Sequence, residues 1–106
     1  MKSPSSKDEL KKLFRDFLYN IDKFLKRNAI IANSELKILY LQEPRESENE
    51  FKSYGLIEIK NHASTFSVIF NYKLDEIELD FDFFYARITT EEMLKFLDEI
   101  KNEKYS

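Results

Sequence analysis

Residues 76–84 read Glu76-Ile77-Glu78-Leu79-Asp80-Phe81-Asp82-Phe83-Phe84, and their alternation decides the fold. Ile77, Leu79, Phe81 and Phe83 fall on one side. Glu76, Glu78, Asp80 and Asp82 fall on the other. A period of two marks a half-buried strand. Every polar position is an acid, and like charges along one strand face repel unless something basic lies opposite.

Similar patterns flank this stretch. Phe66, Val68, Phe70 and Tyr72 alternate with Ser67, Ile69 and Asn71, which predicts another strand, and Lys73-Leu74-Asp75 turns it into the acidic one. Residues 51–60 predict a strand with Leu56, Ile57 and Ile59 buried, joined to the next by a hairpin loop over 61–64. Gly55 is the single glycine, so turns that need a positive φ must rely on Asn and Asp. Residues 36–42 read either as a strand, with Leu36, Ile38 and Tyr40 alternating, or as a helix begun at Ser34. Their β-forming composition and Pro44 beyond them favour a strand. Ala29 to Ser34 reads as a short extended piece and a cap. Residues 43–50 read as a charged loop, and residues 86–88 as an exit from the acidic strand.

Helical periodicity bounds this strand region. From Lys7 to Arg27 an apolar stripe recurs through Leu10, Phe14, Phe17, Ile21 and Leu25, predicting one continuous helix that Ser5 or Ser6 caps and Asn28 stops. Thr89-Thr90-Glu91-Glu92 is a capping box that opens a closing helix carrying Met93, Leu94, Leu97 and Ile100. The expected architecture is α+β: an antiparallel meander of about four strands, packed by an N-terminal and a C-terminal helix. Residues 1–6 are expected to form a flexible tail, and residues 7–106 a single domain.

Composition narrows the function. The chain has 106 residues, 35% of them charged, with a net charge of −3. Ten Phe and six Tyr are ample for one core. Charge is unevenly spread. Residues 1–28 hold eight Lys or Arg against four acids, and residues 43–82 hold ten acids against four bases. Net acidity argues against a direct nucleic-acid binder, whose footprint is basic. The absence of Cys fits a reducing, cytoplasmic setting. No apolar run approaches the length of a membrane span, and the first six residues lack the apolar centre of a signal peptide.

No motif for cofactor binding or catalysis stands out. One glycine cannot build a phosphate-binding loop, and no His or Cys pair has metal-ligand spacing. His62, the only histidine, reads as surface decoration in a hairpin loop. The carboxylates are the one constellation. Glu78, Asp80 and Asp82 recur about 7 Å apart on a strand face, which allows a divalent-cation hydrolase or nuclease assisted by Lys60 or Lys73. A plain structural or adaptor domain with a charged, soluble face is the bland alternative.

The reading favoured here is a protein-binding module, not an enzyme, with no cofactor or metal. Glu76, Glu78, Asp80 and Asp82, joined by Glu46, Glu48 and Glu50 from the loop, would meet a basic protein partner, of the kind that acts on nucleic acid. Tyr85, Tyr54 or Phe51 would supply aromatic anchors if exposed. An inhibitor or antitoxin-like (immunity) role is therefore the expectation.

Overall fold

A computed structural model of the chain describes residues 6–28 and 36–104. The expectations for a tail at residues 1–5 and for an extended piece at residues 29–34 lie outside the described residues. Ser6 caps the first helix: its hydroxyl accepts the Glu9 amide N–H at 3.1 Å.

The single long helix predicted over 7–27 is in fact two, α1 (Lys7–Tyr19) and α2 (Ile21–Arg27). Asn20 breaks it. Its φ of −117° and ψ of 18° leave the helical region, and its side-chain amide donates to the Asp16 carbonyl at 2.8 Å. Asn competes for backbone partners in this way and so marks helix ends. The apolar stripe nevertheless continues across the break, burying Phe14, Phe17 and Leu18, then Ile21, Phe24 and Leu25. Asn28 ends α2 as the sequence predicts, donating from its side chain to the Phe24 carbonyl.

The sheet has more strands than the expected four. β1 (Leu36–Leu41), β3 (Glu50–Ile59), β4 (His62–Asn71), β5 (Glu76–Phe81) and β6 (Phe84–Thr89) form an antiparallel meander in that order. β2 (Arg45–Glu46) pairs with β3 on the same side as β1. β1 and β2 thus make one interrupted edge, with Pro44, which has no N–H to donate, between them. Residues 36–41 are strand, but a bulge at Leu39 shifts the register and sets Tyr40 opposite Leu56, on the face away from the helices. β6 includes residues 86–88, which the sequence predicts only as an exit from the acidic strand.

The register of β3 and the length of its turn differ from the sequence expectation. In β3 the inward residues are Phe51, Ser53, Gly55 and Ile57. Leu56 points to the other face and Ile59 is only half-buried. The strand continues to Ile59 because the β3–β4 turn has two residues, not four. Lys60 and Asn61 have φ of 50° and 70°, the left-handed pair that a tight hairpin requires. Asp75, at φ 54°, serves the β4–β5 turn. Positive φ is carried by Asn, Asp and Lys, as a chain with one glycine demands.

The three helices of the described residues cover one face. α3 (Thr90–Lys104) opens on the predicted capping box: the Thr89 hydroxyl accepts the Glu92 N–H at 3.1 Å, and the Glu92 carboxylate accepts the Thr89 N–H at 3.0 Å. Phe17, Phe24 and Phe96 join the three helices edge to face, with ring centroids 5.3–5.9 Å apart. Phe14 contacts Phe51 and Phe70 on the sheet. Val68, Ile77 and Leu79 complete a floor that is fully buried. Among the described residues, no helix is long and apolar enough to cross a membrane.

Candidate partner-binding face

Among the described residues, no helix lies on the opposite face of the sheet. Cross-strand partners share a face, so the register places its side chains in rows. The middle row runs Tyr54, Ser67, Asp80, Tyr85. One neighbouring row runs Arg45, Lys52, Ile69, Glu78, Arg87, and beyond it lie Glu50, Asn71, Glu76 and Thr89. On the other side are Tyr40, Leu56 and Thr65, then Lys37, Glu58 and Ala63. Tyr40, Tyr54 and Tyr85 are each about half exposed (57%, 47% and 52%), while Leu56 and Ile69 between them are half-buried. The face is thus a mosaic of tyrosines over a partly apolar floor, with five acids and four bases.

Of the predicted acidic column, Glu76, Glu78 and Asp80 share this face, and Glu76 and Glu78 are partly neutralised. Arg87 on β6 reaches across to Glu76 at 3.1 Å and Glu78 at 3.7 Å. The Tyr85 hydroxyl donates to the Glu78 carboxylate and accepts from Arg87 Nε at 3.0 Å. The Tyr85 hydroxyl first, then Glu76 and Glu78, hold the Arg87 guanidinium above its ordinary pKa. Asp80 is different. It is exposed, and among the described residues no hydrogen bond or ion pair engages its side chain.

Asp82 does not belong to this column. The alternation breaks after Phe81, and Asp82 and Phe83 form the β5–β6 turn, which leaves Phe83 42% exposed instead of buried. Phe51, offered as an anchor, is buried in the core.

The acidic loop divides between the two faces. Glu50 reaches the open face in the row of Glu76, with Lys52 4.0 Å away. Glu48 lies in an exposed bend and contributes its backbone carbonyl to the Tyr72 hydroxyl at 2.9 Å. Glu46 sits opposite Phe51, on the helix side, and pairs with Lys7 at 3.2 Å and Lys11 at 3.1 Å. Hydrogen bonds from Lys11 and Lys7 hold its carboxyl below the usual range. Glu43 pairs with Arg15 at 3.1 Å. The basic first helix and acidic loop therefore satisfy each other, so much of the charge asymmetry of the sequence is internal.

Sequence reasoning missed Tyr40, Leu56, Ile69 and Arg87 on this face. The signal for Arg87 was present, since Phe84 to Ile88 alternates as the acidic strand does. The bulge that turns Tyr40 outward has no such signal.

Glu78 and Asp80 share the strand face, Asp82 does not, and no group of three or more His, Cys, Asp or Glu among the described residues is placed to hold a metal ion. A groove of about 820 Å³ runs between the first two helices and α3, with Leu13, Leu94, Leu97 and Ile100 along it and no His, Ser or Cys. Comparison with family models, curated proteins and solved structures finds no match to this chain.

Proposed function

We propose that this chain is a protein-binding module, of inhibitor or antitoxin-like character, that uses its helix-free sheet face to engage a basic protein partner. One observation carries the reading: Tyr54, Asp80 and Tyr85 occupy one row across that face, with Ser67 between Tyr54 and Asp80. Tyrosines supply large, rigid contact area with a polar tip, the residue type that dominates interface energetics. The Asp80 carboxylate between them has no partner among the described residues, which leave it open to a Lys or Arg from outside. Leu56 and Ile69 give the centre of the face an apolar floor, and the Glu76–Arg87–Glu78 group gives it a polar rim. A partner with a basic nucleic-acid-binding cleft has the matching chemistry. Its association would be fast at low ionic strength and slower as salt screens the charges.

The test is a comparative capture from the source cell, with the native chain and a Tyr54→Ala/Asp80→Lys variant immobilised side by side. A basic protein held by the native chain and absent from the variant supports the reading. Identical captured sets on both would overturn it, provided circular dichroism shows that the variant is folded.

A further inference from the structure

We propose that two copies of this chain join through the free edge of β6, forming one continuous antiparallel sheet related by a two-fold axis at Ala86. The sheet has two edges, and they are built differently. The β1–β2 edge is defended: a bulge at Leu39 twists it, Pro44 interrupts it, and Lys37 lies on it. Natural sheets use bulges, prolines and lysines to prevent edge pairing. The β6 edge has none of these. Phe84 to Thr89 pairs with β5 in unbroken register, contains no proline, and pairs with nothing on its outer side among the described residues. Its one charge, Arg87, is ion-paired with Glu76 and Glu78, so it is not the unpaired charge that guards an edge.

The sequence of β6 is self-complementary in one register. With Ala86 on the axis, Ala86 faces Ala86 of the second copy. Tyr85 then faces Arg87 of the second copy, twice by symmetry, and Phe84 faces Ile88, also twice. The first pair lies on the open face. Arg87 already stands 5.9 Å from the Tyr85 ring centroid within its own strand, so the pair extends an established cation–π contact. The second pair lies on the helix face and covers Phe84, which the single chain leaves half-buried. Moving the axis to Arg87 would set the two guanidinium groups against each other, a like-charge clash. Moving it to Tyr85 would bring the β5–β6 turn into the ladder. Such a contact is isologous and closes at two copies, because the other edge is blocked. It also puts both helix-free faces on the same side.

This inference does not rest on the proposed function: it is read as mass, not as capture of a partner. Sedimentation velocity of the native chain from micromolar to millimolar concentration should show a monomer–dimer equilibrium. Tyr85→Arg, which places Arg against Arg at both symmetric positions, should weaken the dimer by roughly tenfold, whereas Tyr85→Glu should retain it. The chain has no Cys, so Ala86→Cys gives a clean cross-linking reporter. Facing Cα atoms in such a ladder stand roughly 4.5–5.5 Å apart, within disulfide reach. Mild oxidation should link Ala86→Cys into dimers much faster than Thr65→Cys, whose exposed residue lies within the sheet. Three results would overturn the proposal: a monomer at every concentration, a dimer indifferent to Tyr85→Arg, or equal cross-linking of the two cysteine variants.

Discussion

The ring of Phe66 lies directly over Gly55. A Cβ at residue 55 would stand 2.4 Å from Phe66 Cζ and 2.7 Å from the Tyr40 carbonyl oxygen. Both distances are well inside van der Waals contact. Phe66 cannot swing aside cheaply, because it stacks on Phe81 with centroids 4.6 Å apart and planes within 9°. Gly55 is thus required for close approach, not for a turn. Gly55→Ala should destabilise the fold by about 1–3 kcal/mol, the range for overpacking, visible as a lower urea midpoint. Phe66→Leu in the Gly55→Ala background should recover part of the loss, since contacting residues are non-additive. A wild-type midpoint for Gly55→Ala alone would contradict this account.

The Thr89–Glu92 pair is the second local test. Each side chain satisfies the other residue's backbone N–H, at 3.1 and 3.0 Å. The box sits where β6 passes straight into α3, so it sets the angle at which Met93 and Phe96 enter the core. Thr89→Ala should cost about 0.5–2 kcal/mol. Glu92→Ala should cost less, because water can reach the exposed Thr89 N–H in its place. A double-mutant cycle should show positive coupling between the two, and strict additivity would mean that the box does not act as a unit.

These two sites differ in how openly the sequence announced them. The capping box was legible because its chemistry is local: four consecutive residues carry both partners. Helix faces and strand alternation were legible for the same reason, and the α+β class follows from them. Gly55 was not, because its role depends on Phe66 from the next strand. The number of strands was underestimated where a strand is short or broken, as at Arg45–Glu46, or where a small residue such as Ala86 dilutes the alternation. The open face was legible as a row of acids, but its neutralisation by Arg87 depends on register, which a single strand cannot reveal. The ion pairs of Glu46 and Glu43 likewise join segments 28 or more residues apart.

Those long-range pairs predict a pH dependence. Lys11 and then Lys7 lower the Glu46 carboxyl below its ordinary pKa, and Glu46 in turn raises that of the Lys7 ammonium. A lowered carboxylate contributes stability that is present above its unfolded pKa and lost as pH falls through the folded one. A raised ammonium contributes stability that is present below the ordinary lysine value and lost as pH rises through the folded one. The tie between α1 and β2 should therefore be complete from weakly acidic to weakly alkaline pH and fade beyond both limits. The groups are exposed, so the effect should be small and should diminish in high salt. Glu46→Gln should lower Tm slightly at neutral pH and low salt. At strongly acidic pH, or in molar salt, its Tm should equal that of the native chain. A difference that persists there would assign the loss to packing.

The open face makes a prediction with opposite signs for two neighbours. Among the described residues no group compensates the charge of Asp80, whereas Arg87 compensates two charges at once, Glu76 and Glu78. For a basic partner, charge near the contact acts mainly on the rate of association. Asp80→Asn should therefore slow association with the captured partner, and Arg87→Gln, which uncovers two carboxylates, should speed it by a similar few-fold factor. Both effects should shrink as ionic strength rises and the Debye length falls to a few Å. Tyr54→Ala should behave differently, leaving the association rate nearly unchanged and raising the dissociation rate, as loss of a packed anchor does. Stopped-flow measurement at low protein concentration, where the chain is a single copy, separates the three. Equal effects of Asp80→Asn and Arg87→Gln, both slowing association, would mean that the partner reads this face by shape instead of by charge.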